Sequence, residues 1–308
     1  MKILSNELMK SIKFKYEENN IKYEEYYFNG NNIIPKNIEI KDISYNSINI
    51  NWEIDNNIDN NKIKYIIEIR KENEKFNKIY EGNNKNYLLN NLSINTNYEF
   101  RICSFYNDSY GNWSEIKKVK TKDIDSNILK ESKREDEFIS KILEWSGYKR
   151  MELIYRGSKD GTTSNIFHNK CDNKGPTIIL FKNDKGNIYG GYCPISWNCN
   201  GGWQSAPEAF IFTLTNIYNI EPIKFNRTND QYGIYFNSSV GPWFGYNSNI
   251  GFQYDYSIEN KCKSYFGDSN HNSYQDSLGK GKSIFTGNLD NNKANYKIKE
   301  IEAFKLYK

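Results

Sequence analysis

The spacing of apolar positions changes several times along the chain. Residues 1 to 34 are mostly charged and polar, with Leu4, Leu8 and Ile12 at i, i+4 and i+8, a spacing that allows a short helix within a frayed leader. The Asn29-Gly30-Asn31-Asn32 cluster breaks that pattern. From Pro35 to Lys122 the period becomes two: Ile48, Ile50, Trp52 and Ile54 are in phase, as are Ile63, Tyr65, Ile67 and Ile69, and then Tyr98, Phe100 and Ile102. Strands with one dry face need a second sheet to cover it, which predicts a sandwich over 35–122. Between Asp123 and Gly147 the apolar residues Phe138, Ile139, Ile142, Leu143 and Trp145 share a helical stripe. The spacing predicts one helix over about 126–146, capped by Ser126 and ended by Gly147, with the charged run Lys130–Glu137 as its solvated start. Short aromatic-rich runs follow to the end of the chain. They predict strands at Met151–Arg156, Thr177–Lys182, Ile188–Tyr192, Phe210–Leu214, Tyr232–Phe236, Gly251–Tyr254 and Ile298–Tyr307, with a short helix at Ser164–Lys170 capped by Ser164.

Composition agrees with this β-rich reading. Aromatic residues make up 16% of the chain, and with Ile they favour half-buried pleated surfaces. The net charge of +4 comes from interspersed signs, so no concentrated basic face points to nucleic acid. Cys103, Cys171, Cys193, Cys199 and Cys262 are odd in number and lack a C-x-x-C step, which argues against a disulfide framework or a zinc cage. The first residues hold too short an apolar run for a signal peptide, and no stretch approaches the ~20 apolar residues of a membrane span. The expected location is cytoplasmic, with no membrane insertion.

Two resemblances sharpen the picture. Pro35 before the first strand, Trp52 in the second, the corner Leu92-Ser93-Ile94-Asn95-Thr96-Asn97-Tyr98, and Gly111, Ser114 and Thr121 together resemble a fibronectin type III domain over about 90 residues. Ile94 stands where that family usually has proline. The resemblance implies that the Tyr98 hydroxyl bonds back to the turn before it. Further on, Leu153-Ile154-Tyr155-Arg156-Gly157-Ser158-Lys159-Asp160-Gly161 and Phe167-His168-Asn169-Lys170-Cys171-Asp172-Asn173-Lys174-Gly175-Pro176-Thr177 are similar to signature segments of the TLDc family. Tyr189-Gly190-Gly191-Tyr192 with Trp197, Ala209–Leu214, Gly241-Pro242-Trp243-Phe244-Gly245 and Lys299–Phe304 follow in the family's order. Cys193 departs from the hydroxyl residue that many members carry there. The resemblance implies a two-sheet antiparallel β-sandwich with a few flanking helices. It also implies the family's associations, protection against oxidative stress and binding to the vacuolar-type proton ATPase. The domain organisation expected is a leader (1–34), a fibronectin type III domain (35–122) and a TLDc domain with its leading helix (123–308).

Candidate chemistry is sparse. His168, Cys171 and Asp172 could form a general base with an activated thiol, but no oxyanion or metal partner can be assigned. A histidine bonded to main-chain carbonyls beside a packed helix is the simpler reading. Arg156 and Asp160 suit a strand-end salt bridge. Gly279-Lys280-Gly281-Lys282-Ser283 has the wrong spacing for a phosphate cradle. Glu300 and Glu302 share a face by alternation, either ion-paired or forming an acidic contact patch. Arg156, Asp160, Trp197, Glu300 and Glu302 are therefore the candidate interaction residues. Cys193 and Cys199 flank Trp197 and could pair on oxidation, with no cationic neighbour in sequence to activate either thiol. The expectation is a non-catalytic regulatory protein with a protein partner and no metal or cofactor. The alternatives are an enzyme (a thiol-dependent antioxidant or a hydrolase) and an adhesion or scaffold module.

Overall fold

A computed structural model describes the chain apart from residues 1–11, 19–20, 28–33, 55–62, 107–108, 200, 229–230, 247–248, 258–261, 268–272 and 291–294. The chain divides into two compact units, Met1–Asp123 and Ile124–Lys308. Within the leader, strand β1 (Ile12–Glu18) pairs antiparallel with β2 (Ile21–Tyr27). Ile12, the last of the three residues at helical spacing, thus lies in a strand; Leu4 and Leu8 lie outside the described residues.

The remaining strands of the first unit are β3 (Lys36–Lys41), β4 (Ile48–Glu53), β5 (Lys64–Lys71), β6 (Asn77–Gly82), β7 (Asn86–Leu89), β8 (Asn97–Tyr106), β9 (Ser109–Tyr110) and β10 (Lys117–Lys120). They form a β3-β4-β7 sheet and a β10-β8-β5-β6 sheet, with β9 paired to β8. The residues in period-two phase on β4, β5 and β8 meet in one buried cluster. At the corner before β8, the Tyr98 hydroxyl accepts the Ser93 N–H at 2.9 Å. The Thr121 hydroxyl donates to the Ser93 carbonyl at 2.6 Å and accepts the Thr96 N–H at 3.0 Å. Tyr98 and Thr121, set apart in sequence, therefore hold the same turn.

The second unit opens with α1 (Asn127–Ser132) and α2 (Glu135–Ser146), where the sequence pattern predicts a single helix. The break falls at Lys133, whose φ of 56° is left-handed and ends α1. Arg134 restarts the chain as the cap of α2 and bridges Glu137 and Glu221. The charged run Lys130–Glu137 thus contains the break. Ser126 caps α1 and Gly147 ends α2 with a φ of 70°.

Then follow β11 (Arg150–Arg156), α3 (Gly157–Asp160), α4 (Ser164–Cys171), β12 (Thr177–Asn183), β13 (Ile188–Cys193), β14 (Gly202–Gln204), β15 (Phe210–Thr215), β16 (Ile223–Asn226), β17 (Ile234–Phe236), α5 (Ser283–Thr286) and β18 (Ile298–Tyr307). The cap of α4 is Thr163, whose hydroxyl accepts the Ile166 N–H; Ser164 instead donates to the Ser238 carbonyl. No strand forms at Gly251–Tyr254. Phe252 and Gln253 make single bridges to Cys262 and Val240, and Tyr254, at φ 55°, turns the chain away.

The strands β11-β18-β12-β13-β15-β16 form one six-stranded sheet, antiparallel at every pairing. One face carries Ile179, Phe181, Tyr189, Ile211, Ile301 and Ala303 into a core shared with Trp197, Phe236, Phe244, Phe252 and Phe285. The β14-β17 ribbon and single bridges such as Ile234–Phe244 and Phe244–Ile250 supply the second, less regular layer. On the opposite face, Trp145 of α2 packs on Phe210 and Phe212, with ring centroids 6.4 and 5.8 Å away. The molecule is mostly β: a fibronectin-like sandwich, then antiparallel layers with a few helices. Among the described residues no helix is long and apolar enough to cross a membrane.

The pair Gly190-Gly191 in β13 marks a close approach. A Cβ on Gly190 would sit 2.1 Å from the Ile179 carbonyl oxygen of β12, and one on Gly191 would sit 2.5 Å from the Phe244 ring. Because the Gly190 obstacle is main chain, it cannot rotate aside. Gly190→Ala is expected to destabilise the protein by about 1–3 kcal/mol or more, read as a lower denaturant midpoint. An unchanged midpoint would refute the β12–β13 register.

Candidate functional site

The acidic pair on β18 is not a surface patch. Glu302 has no exposure, and its carboxylate accepts hydrogen bonds from Arg156 Nε (2.8 Å), the Ser126 hydroxyl (2.5 Å) and the Asn127 N–H (2.8 Å). Alternation puts Glu302 on the face that the leading helices cover, so it meets the N-terminus of α1 and the cap that starts it. A carboxylate suits that position, because unsatisfied N–H groups converge there. Arg156, at the end of β11, also reaches Asp125 with its guanidinium, at 2.7 Å. Burial opposes the Arg156 charge, yet the Asp125 and Glu302 carboxylates outweigh it and hold its pKa above the ordinary guanidinium value. Glu300 is 9% exposed and accepts the N–H groups of Ser158 and Ile301, both at 3.0 Å.

The expected Arg156–Asp160 salt bridge takes a different form. Asp160 accepts the main-chain N–H of Arg156 at 2.9 Å and pairs with Lys170 at 2.8 Å. Burial alone would raise the Asp160 pKa, but the Lys170 ammonium and the Arg156 N–H bring it below the usual carboxylate value. Trp197 is fully buried and its indole N–H donates to Thr177 Oγ1 at 2.8 Å. Arg156, Trp197, Glu300 and Glu302 are therefore committed to the interior and offer no contact surface. Asp160, paired with an exposed lysine, is the only one of the five near solvent.

The sequence-adjacent trio His168, Cys171 and Asp172 does not converge. Helix α4 turns the Cys171 side chain into the aromatic core, where it is fully buried. Burial pushes its thiol pKa well above the ordinary value, with the Asp172 carboxylate adding to the effect. His168 faces the other way. Its Nδ1 lies 2.7 Å from Asp172 Oδ1, and its Nε2 lies 3.1 and 2.9 Å from the carbonyls of Asn237 and Val240. No ring nitrogen is left to take a proton from Cys171. The ring is thus anchored on main-chain carbonyls through Nε2 and on a carboxylate through Nδ1.

The thiol that does meet the pair is Cys199, which donates to Asp172 Oδ2 at 3.3 Å. A parallel bridge between Asp172 and Trp197, with the Asn173 N–H on the Trp197 carbonyl at 3.0 Å, brings Cys199 there. Burial, then the adjacent carboxylate, raises the Cys199 pKa above the usual thiol value. The order thiol–carboxylate–imidazole leaves the thiol without a base, because Asp172 stands between Cys199 and His168. All five cysteines are free. Cys193 is fully buried and donates to the Ile195 carbonyl at 3.0 Å, away from Cys199's partner. Among the described residues, cavities of about 250 and 190 Å³ are lined by residues around Glu99 and Lys118 and around Lys185 and Tyr296, and neither is lined by His168, Cys171 or Asp172.

Sequence reasoning passed over a group of aromatics around the β14-β17 ribbon. Trp203, Tyr232, Tyr235, Trp243 and Tyr246 are all half-buried. Trp203 stacks on Tyr246 at 5.7 Å, lies 4.8 Å from Tyr235 and meets Tyr232 edge-on at 5.3 Å, while Trp243 packs on Tyr235. The available signal was the density of Trp and Tyr in two short segments. Their gathering around one ribbon depends on long-range contacts that no local period reveals.

Known proteins compare as follows. The family model for the TLDc domain matches residues 122–307, and that for the fibronectin type III domain matches residues 34–120. MTOR-associated protein MEAK7 of Danio rerio is 26% identical over 77 residues, 25% of this chain and 17% of that protein, so the match spans about a sixth of the relative's length. Solved structures similar to part of the chain include a fibronectin type III domain of human fibronectin type III domain containing protein 3, at 20% identity and a TM-score of 0.29, covering 33% of this chain and 95% of that one. A titin fragment is similar at 25% identity and a TM-score of 0.27, covering 29% and 32% respectively.

Two outcomes test this geometry. Cys103 and Cys262, each pushed by burial to about 12, and the buried Cys171 and Cys193 stay protonated at pH 8. A thiol reagent at that pH should therefore modify at most one cysteine of the native protein within minutes, and all five after denaturation. Two fast native thiols would contradict the arrangement. Glu302→Gln turns an amide N–H₂ toward donors and leaves Arg156 short of a charge. It should cost about 3–5 kcal/mol of stability, the usual loss on breaking a buried pair, with calorimetry or denaturant unfolding as the measure.

Proposed function

The chain belongs to the TLDc family, and from that premise we propose that it is a regulatory binding protein whose TLDc domain docks on a larger assembly. The observation that carries this reading is a division of labour in the second unit. The polar residues of its recognisable motifs (Arg156, Glu300, Glu302 and His168) are spent on internal hydrogen bonds, while Trp203, Tyr232, Tyr235, Trp243 and Tyr246 remain half-open to solvent. Rigid aromatic side chains of this kind supply contact area at low entropic cost and dominate many interfaces. The partner proposed is the vacuolar-type proton ATPase, in the cytoplasm, and any effect on oxidative stress would follow from that association. The relative's name, an MTOR-associated protein, supports the broader idea that a protein of this kind works by association. The fibronectin type III domain would position the TLDc domain or add a second contact.

The test uses the full chain and purified vacuolar-type ATPase in a binding assay. Trp203→Ala combined with Tyr235→Ala should weaken binding by roughly 30-fold or more, as loss of a central aromatic anchor does. Cys171→Ala, which removes only a buried thiol, should leave binding unchanged. Equal binding by the aromatic double variant would remove this face from the proposal, and no binding by the wild-type chain would remove the partner.

A further inference from the structure

Asp172 and Cys199, which meet beside His168, play no part in the docking reading. One ring nitrogen of His168, a carboxylate oxygen of Asp172 and Sγ of Cys199 all lie within 4.8 Å of one another, and Nδ1 is the nitrogen that meets Asp172. Each is a good donor for a borderline-soft divalent cation, and a mixed nitrogen, oxygen and sulfur set suits zinc better than magnesium or calcium. Their present spacing is set by hydrogen bonds: 2.7 Å from imidazole to carboxylate and 3.3 Å from thiol to carboxylate. Around a tetrahedral zinc, with bonds of about 2.0–2.3 Å, neighbouring donors stand about 3.3–3.5 Å apart. The imidazole meets Asp172 Oδ1 and the thiol meets Oδ2, so an ion taken up by one carboxylate oxygen draws the donor on the other oxygen toward it, and the imidazole–carboxylate contact opens by roughly half an ångström.

The surroundings are built as a metal centre requires. A metal-bound histidine normally donates its other ring N–H to a main-chain carbonyl, which fixes the tautomer and turns the free nitrogen to the metal. His168 Nε2 faces two such carbonyls, those of Asn237 and Val240, so Nδ1 is the nitrogen presented to the cluster. The loop bearing these carbonyls is itself fixed: Asn237 Oδ1 accepts the N–H and hydroxyl of Ser239, and the Val240 N–H returns to the Asn237 carbonyl. Asp172 and Cys199 are held side by side through Trp197, whose indole is anchored on Thr177. Asp172 and Cys199 are only partly buried, so an ion can enter from solvent.

We propose that His168, Asp172 and Cys199 form a binding site for a divalent transition cation, zinc by its donor set, with the fourth position open to water or to a partner's side chain. On binding, the thiol hydrogen and the proton lying between His168 and Asp172 pass to solvent, and three coordinate bonds replace two hydrogen bonds. The site staples α4 to the segment around Cys199, about thirty residues further along the chain, which no covalent bond joins among the described residues.

The experiment uses the full chain, stripped with a chelator and titrated with Zn²⁺ by calorimetry, and with Co²⁺ by absorption. The expected result is one equivalent of Zn²⁺ and a thiolate-to-cobalt charge-transfer band. Cys199→Ser should lose the band and bind Zn²⁺ at least ~100-fold more weakly, since loss of a mere outer partner already costs about 10–100-fold. Asp172→Asn, a second route should the serine variant fold poorly, should weaken Zn²⁺ binding while the metal-free protein keeps its cooperative unfolding. Failure of the wild-type chain to take up Zn²⁺ at micromolar concentration overturns the site. So does a cobalt band or Zn²⁺ affinity that survives Cys199→Ser.

Discussion

A carboxylate taken wholly out of water must be matched by donors arranged before it arrives, because the desolvation penalty is several kcal/mol per ion. In the TLDc domain that requirement falls on Glu302, and its donors come from three places in the chain: the guanidinium at the end of β11, the capping hydroxyl ahead of α1 and the first N–H of that helix. Such an arrangement cannot be met halfway. If the leading segment were elsewhere, a charge would be buried without partners. The packing of α1 and α2 on the sheet is therefore specified in direction as well as in apolar area, and the apolar contacts of Ile128, Leu129, Phe138 and Ile142 are made in one register.

The same logic separates structure from chemistry in the motifs of this domain. Residues that look reactive in sequence because they are polar, adjacent and distinctive turn out to face one another or the main chain. His168 is held by carbonyls, Asp160 by Lys170 and an N–H, Glu300 by two N–H groups. Motif residues of this sort record the demands of a particular backbone path. Half-open to solvent, by contrast, is a group of tyrosines and tryptophans around β14 and β17.

Much of the architecture could be read from the residues, and the reasons are local. Period-two alternation places Ile48, Ile50, Trp52, Tyr65, Phe100 and Ile102 in one core because every second side chain of a strand must share a face. The Tyr98 corner was legible only through its resemblance to a known family's corner, and the bond the resemblance implies, five residues back, is present. The break at Lys133 was not, since a lysine in a left-handed conformation is chosen by the packing on either side and leaves no compositional mark. Glu302 was legible as half of an ion pair, yet its burial was not, because alternation shows that two acids share a face without showing what covers it. Cys199 was the least legible. Its meeting with Asp172 depends on a parallel bridge between segments twenty-five residues apart, and Cys171, beside Asp172 in sequence, is carried into the core by the turn of α4.

The order of strands in the six-stranded sheet bears on how the domain is made. β18, the last strand in sequence, lies between β11, the first, and β12. On the ribosome the first sandwich can close while the second unit is still being made, but β11 waits for its neighbour until some 150 residues later, a delay on the order of 10–30 s at ordinary rates of synthesis. During that interval the inner edges of β11 and β12 carry unpaired main-chain groups beside exposed aromatic faces, a combination prone to mispairing. The nascent chain thus passes through a period in which chaperone protection matters most, and it ends only when the strand bearing Glu302 leaves the exit tunnel.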